Sequence, residues 1–359
     1  MTEVDDAAVA PVPEGAVLVH IGPPKTGTTS LQGALHERRS ELRAHGVVYP
    51  GTTRRQKRPG FALLGAVEAG RKIPISEWND LAAEVREARD ARVCVSTESF
   101  ARANRRKVRT IVEDLGADRV HMVVTARRLD RLMPSAWQQR IKGVGETLPY
   151  AEWVDQVLDP GRPKGAGATF WRHHDLAATI ADWREVIPAD RIIVVAADES
   201  DRGQILRVFE GLLALPEGLL QSVVEAASSN ISLSYERAEL LRRLNVALEK
   251  LGPDSRPRRR LVADLRRGVL AGAREPSETA IPGLPAAALA RVAELSDQRS
   301  EALLASGVRI IGDLQRLRVP VGDPAEVMAP PPTTIPIGVS IEAMATGLAG
   351  LPASGPDES

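Results

Sequence analysis

The chain has 359 residues, 43% hydrophobic and 26% charged, with 47 basic residues balancing 47 acidic ones. Zero net charge argues against a dedicated nucleic-acid or membrane-surface binder, and most of the positive charge is Arg. A single cysteine, Cys94, excludes an internal disulfide and a Cys-based zinc site. The length allows about two domains and a large core. Acidic residues follow Met1 almost at once and no apolar run reaches spanning length, so the expected compartment is cytoplasmic, without a membrane span.

Residues 1–14 read as a loose lead-in. Val17, Leu18, Val19 and Ile21 form a buried apolar strand. It is followed by the turn Gly22-Pro23-Pro24-Lys25-Thr26-Gly27 and by a helix starting at Thr28-Thr29-Ser30 and carrying Leu31, Leu35 and Leu42. A short strand is expected over 46–50, a basic surface loop over 52–60, and helices over 61–70 and 77–90. Arg92 to Ser96 is a strand ending in Thr97-Glu98-Ser99-Phe100; a helix over 107–115 leads to the strand 119–126, RVHMVVTA. Helices follow over 129–142 and 150–158; 161–167 is a Gly/Pro segment, either a mobile lid or a plain connection. A helix over 174–186 precedes a strand over 191–196. From 204 onward the pattern is all helix, over 204–213, 234–251, 258–274 and 284–305. Strands alternating with helices predict an α/β fold with a mostly parallel sheet. The expected division is an α/β domain over 15–250, a helical extension over 251–319 packed on it, and a largely disordered tail over 320–359.

The first strand, turn and helix present free backbone N–H groups and the positive end of a helix to one spot, suited to a phosphate or sulfate. Lys25 adds a mobile charge, and Thr26, Thr28 and Thr29 add hydroxyl donors. The nucleotide-binding pattern G-x-x-x-x-G-K-[ST] does not fit, because Lys25 stands two residues before Gly27. The string HIGPPKTGTTSLQ instead resembles the 5′-phosphosulfate loop of PAPS-dependent sulfotransferases, in their bacterial, especially actinobacterial, branch. The resemblance implies a P-loop-type three-layer fold and a metal-free, in-line transfer of a sulfuryl group from PAPS. The acceptor is a hydroxyl or amine of a small molecule or carbohydrate, and the product is 3′,5′-ADP. It implies that Lys25, Thr26, Gly27, Thr28 and Thr29 hold the 5′-phosphosulfate, with Lys25 also stabilising the leaving phosphate oxygen. In the cytosolic sulfotransferases the 3′-phosphate is held by an Arg at a strand end and a Ser eight residues later; Arg127 and Ser135 have that separation, with Arg128 the other candidate. Pro134 suits the first turn of a helix, which would give Ser135 unpaired backbone N–H groups nearby. The family's late Arg-Lys-Gly loop is missing. Residues 228–232 are either a substitute or a helix cap, and Trp137, Trp153 and Trp171 are either adenine-stacking candidates or core.

The acceptor must lose a proton. The resemblance points to Glu98, at the place where the cytosolic members carry Lys-Thr-His and this chain carries Ser96-Thr97-Glu98. A carboxylate just beyond a central strand lies where open α/β sheets bind ligands; the other reading pairs Glu98 with Arg102. His20 reads as a packed core residue, His173-His174 as a helix start, and Asp198 and Glu199 as turn residues. Two alternatives are a P-loop phosphotransferase, against which the position of Lys25 and the absence of a strand ending in an Mg²⁺-binding Asp stand, and a non-catalytic nucleotide-binding scaffold.

Overall fold

The computed structural model describes residues 9–22, 27–68, 71–143, 145–159, 161, 164–221, 233–250, 265, 268–270, 278–320 and 331–349. The chain divides into two compact units. One comprises Met1–Leu129, Ala168–Ser229 and Val292–Pro320; the other comprises Asp130–Gly167, Asn230–Arg291 and Val321–Ser359.

The first unit is built on strands β1 (Val17–Ile21), β2 (Val47–Val48), β5 (Arg92–Ser96), β6 (Val120–Ala126), β7 (Ile192–Ala196) and β8 (Arg309–Ile311). They pair in the order β2-β5-β1-β6-β7-β8, every pair parallel. A small antiparallel hairpin, β3 (Val67–Glu68) and β4 (Arg71–Lys72), stands apart from this sheet. Helices cover both faces, making the expected α/β layers. Because side chains alternate along a strand, Val17, Val19, Ile21, Val93, Val95, Met122 and Val124 share one face. There they pack against α3 (Lys57–Leu64), α4 (Ser76–Glu87), α5 (Arg105–Leu115) and α9 (Leu176–Arg184). Leu18, Cys94, Val123, Ile193 and Val195 point to the other face. They meet Leu31 and Leu35 of α1 (Thr28–Glu37), Leu42 of α2 (Arg39–Ala44), and Leu206, Phe209 and Leu212 of α10 (Gln204–Leu212).

The sheet order has a consequence for the site. The chain leaves β1 for α1 on one face, and leaves β5, the next strand in the sheet, for α5 on the opposite face. The carboxyl ends of β1 and β5 are therefore a topological switch point, where departing segments diverge and open a crevice.

In the second unit, α6 (Leu129–Gly143) packs against α7 (Tyr150–Leu158) and α11 (Tyr235–Lys250), with Trp137 ringed by Tyr150 and Tyr235 at 5.1 and 6.3 Å. A buried ion pair joins Arg237 to Glu278, and half-buried Arg242 pairs with buried Glu239. Residues of α12 (Ala286–Ala305) divide between the two units.

Several elements differ from expectation. α3 begins at Lys57 inside the expected surface loop, and the expected helix over 61–70 gives way after Leu64 to the β3–β4 hairpin. The carboxyl-terminal part is not all helix: β8, a strand of three residues, extends the sheet beside β7. A helix missing from the expected elements, α8 (Ala166–His174), precedes α9, so His173 and His174 close a helix rather than start one. Within 320–359, α13 (Ile337–Ala349) is helical. Residues 9–14 are tied down: the Val12 N–H donates to Leu212 O at 2.9 Å and Arg92 Nε donates to Val12 O at 2.8 Å. The expected helix over 258–274 falls largely outside the described residues.

Candidate functional site

The end of β1 is packed closely against the start of α1. A Cβ on Gly22 would lie 2.0 Å from Thr28 Oγ1 and 2.9 Å from His20 Cε1, so only glycine lets the strand end approach the helix start this closely. Gly27, the residue before α1, has φ +82°, a left-handed conformation that glycine adopts without strain. Among the described residues no side chain caps α1, and its first turn carries no acidic residue, so no built-in anion offsets the positive end of the helix there. Thr28 is buried and Thr29 half-buried. Lys25 and Thr26 lie outside the described residues.

Glu98 opens a 3-10 helix, Glu98–Arg102, directly after β5; the preceding Thr97 caps it, its Oγ1 accepting the Ser99 N–H at 3.3 Å. Arg127 follows β6. Since β5 and β6 flank β1, and neighbouring strands are about 4.8 Å apart, the segments carrying Glu98 and Arg127 emerge about 10 Å from each other on either side of the turn. Arg127 is not an open fork: its Nε and one terminal nitrogen donate to the two carboxylate oxygens of Glu199 at 2.8 and 3.1 Å. Glu199, read from the sequence as a turn residue, is thus the bidentate partner of the Arg expected to meet a phosphate. Nothing in the local sequence around Glu199 signals that pairing, because it is made by two loops that the sheet order alone brings together.

Ser135 does not stand at a helix start. It is the seventh residue of α6, with Pro134 inside the helix, beyond the first turn where backbone N–H groups lack intrahelical partners. It also belongs to the second compact unit, whereas Arg127 belongs to the first. Of the three Trp residues that could stack on adenine, Trp137 and Trp153 are fully buried and have no face to offer; Trp171 is half-buried. Residues 228–232 lie outside the described residues.

Beneath the turn lies a polar ladder not expected from the sequence. His20, Ser96 and Thr125 project from the ends of β1, β5 and β6 on the α1 side, all fully buried. His20 Nδ1 is 2.9 Å from Ser96 Oγ and its Nε2 is 2.9 Å from Thr125 Oγ1. Gln32, from α1, donates through Nε2 to Ser96 O at 3.0 Å and to Ser96 Oγ at 3.2 Å. Gln56, just before α3, accepts the Ser96 N–H at 2.6 Å and donates to Pro50 O at 2.8 Å. Burial pushes the His20 imidazole down to a pKa of about 3, so it is neutral near neutral pH. A neutral imidazole has one N–H and one acceptor nitrogen. In the ladder one His20 nitrogen therefore donates and the other accepts, with the Ser96 and Thr125 hydroxyls in the complementary roles. One atom of the ladder, Gln32 Oε1, is buried with no partner among the described residues. The signal for the ladder in the sequence is Gln32 itself, a polar residue at a helical position between Leu31 and Leu35.

Among the described residues no group of three or more His, Cys, Asp or Glu is gathered as a metal site, and no helix is long and apolar enough to cross a membrane. No family model matches the chain, and no curated protein matches it. Among solved structures, a sulfotransferase from Alicyclobacillus acidocaldarius is similar over 67% of this chain and 96% of its own, with 17% identity and a TM-score of 0.41. At that distance the likeness carries nothing about donor, acceptor or mechanism, which have to be read from the chain's own sheet order, turn and site chemistry.

Proposed function

We propose that the chain is a PAPS-dependent sulfotransferase acting on a hydroxyl or amine of a small-molecule or carbohydrate acceptor. In this reading Lys25 and Thr26 to Thr29 hold the 5′-phosphosulfate of the co-substrate, Arg127 takes the 3′-phosphate, and Glu98 is the general base. The single observation that carries the reading is the switch point. The strand that leads through Gly22 and Gly27 into α1 stands between two parallel strands, one running into Glu98 and the other into Arg127. The helix start suits the donor: among the described residues the α1 terminus has neither an acidic residue nor a side-chain cap, and Gly22 leaves room for nothing but backbone.

The chemistry balances with those groups. The Glu98 carboxylate takes the acceptor proton as the acceptor oxygen or nitrogen forms a bond to sulfur. The bond from sulfur to the 5′-phosphate oxygen breaks, and 3′,5′-ADP leaves with its new negative charge facing Lys25 and the α1 N–H groups. A preorganised donor at the leaving oxygen is worth about 10²–10³ in rate, and a positioned base about 10²–10⁴. The Glu199 carboxylate on Arg127 sets a condition on the 3′-phosphate, which must share the guanidinium or displace Glu199.

Titration calorimetry with 3′,5′-ADP tests the donor half. Saturable binding that Lys25→Ala weakens at least tenfold is expected; no binding at high micromolar ligand, or binding indifferent to that substitution, removes the donor assignment. For the base, Glu98→Gln keeps 3′,5′-ADP affinity and loses about 10²–10⁴ in turnover of labelled PAPS against a panel of acceptors.

A further inference from the structure

A cleft of about 720 Å³ opens on the first unit, within the range that holds a small-molecule ligand. Its floor is the end of the Glu98–Arg102 3-10 helix and the start of α5; its far wall is Trp171, Arg172 and the first turn of α9. Apart from Trp171, an adenine-stacking candidate in the sequence, none of these side chains has a part in the proposed donor site.

The charges in the cleft do not cancel locally. Of its two carboxylates, Asp175 caps α9, accepting the Ala178 N–H at 2.9 Å, and Asp182 faces Arg105 Nε at 3.5 Å. Lys107 spends one donor on Leu63 O at 2.6 Å, and an ammonium has three. Arg102 and Arg172 are both exposed, and neither has an ion-pair or hydrogen-bond partner among the described residues. Two uncommitted guanidiniums on one concave surface are a recognition element for a planar anion, which each can grip with paired N–H groups. Trp171 supplies the other half of a ring-binding site. Of the five Trp residues, Trp78, Trp137, Trp153 and Trp183 are buried, and Trp171 alone keeps part of its surface exposed, on the cleft wall. Ala101 and Ala103 keep the opposite side low and apolar.

We infer that this cleft binds a small ring compound bearing a carboxylate, such as a uronic acid sugar, with the ring against Trp171 and the carboxylate on Arg102 and Arg172. The cleft adjoins the end of the 3-10 helix that Glu98 opens. A 3-10 helix rises about 2 Å per residue, so the Cα atoms of Glu98 and Arg102 are about 8 Å apart, a length that a mono- or disaccharide spans. Treating this ligand as the group that receives the sulfuryl unit rests on the proposed transferase function; its capture by the cleft does not.

The test compares phenyl β-D-glucuronide with phenyl β-D-glucoside, which differ by a carboxylate against a hydroxymethyl group, and follows Trp fluorescence of the full chain with calorimetry alongside. The glucuronide is expected to change the fluorescence saturably and to bind at least tenfold more tightly than the glucoside. The doubly substituted Arg102→Gln, Arg172→Gln chain, altered only at exposed positions, should bind the two alike, and Trp171→Phe should abolish the fluorescence change. Equal affinity for both glycosides, or no saturable binding of either, overturns the assignment. No donor or turnover enters this measurement. A chain that binds glucuronide but not 3′,5′-ADP keeps the cleft and loses the transferase reading, and the reverse result does the opposite.

Discussion

The two faces of the central sheet end differently. On the α5 side, β1, β5 and β6 finish apolar, with Ile21, Val95, Val124 and Ala126 packed into the core up to the strand ends. On the α1 side the same three strands finish in His20, Ser96 and Thr125, a hydrogen-bonded ladder under the glycine turn. A buried polar group without a partner costs about 1–3 kcal/mol, and in this ladder the His20 ring, the Ser96 and Thr125 hydroxyls and the Gln32 amide nitrogen are each held by another member. The apolar face makes a core of replaceable parts, whereas the polar face ties three strand ends and α1 to one geometry directly below the proposed anion site.

Cutting into each face breaks the comparison most strongly. His20→Ala removes a fully buried ring and strands the Ser96 and Thr125 hydroxyls. It should lower the unfolding free energy by about 3–5 kcal/mol in urea denaturation. Ile21→Val, the next residue and on the opposite face, should cost about 1 kcal/mol. Equal losses from the two would mean that the ladder contributes no more than volume.

The ladder also has a pH signature. His20 is held near pKa 3 in the folded chain against 6.5 for a free imidazole, so the unfolded chain takes up a proton that the folded one refuses. The His20 contribution is therefore full above pH 6.5 and is lost as pH falls toward 3. His174, also pushed down to about 3 by burial, acts in the same direction. Between pH 6.5 and 5 the carboxylates, with ordinary values near 4, contribute little. In that window His20→Gln should flatten the fall of stability with pH by about 0.7 kcal/mol per pH unit at pH 6.5, rising to about 1.3 near pH 5 as the unfolded imidazole becomes fully protonated, and leave the His174 part in place. An unchanged slope would mean that His20 already titrates normally.

How much of this was legible in the sequence depends on how local each feature is. β1, β5, β6 and β7 were readable because each is a run of apolar residues between polar turns, and the order of strands and helices implied a parallel sheet. The glycine turn was readable because Gly22 and Gly27 are required by its own geometry. β8 was not: three residues, one of them Arg309, have no periodicity of their own and become a strand only because β7 offers an edge. α8 begins among glycines, which weigh against a helix, and is helical nonetheless. Within the site, His20 looked like a core residue because its partners, Ser96 and Thr125, are 76 and 105 residues away. The Arg127–Glu199 pair has the same cause, a contact made across the sheet ends rather than along the chain.

The smallest effect is expected at that pair, and it bears most directly on the 3′-phosphate. Both side chains are partly exposed, 23% and 31%, so Glu199→Gln should change stability by less than about 1 kcal/mol despite the bidentate geometry. Its effect on anion binding is more informative. If Arg127 meets the 3′-phosphate, replacing the competing carboxylate by a neutral amide should tighten 3′,5′-ADP several-fold and leave adenosine 5′-phosphosulfate, which lacks that phosphate, unaffected. Equal tightening of both ligands would instead report a general rise in local positive potential. A weaker 3′,5′-ADP complex would make Glu199 the residue that aims Arg127 at the nucleotide, and the two polar ends of β6 and β7 would then work as one device.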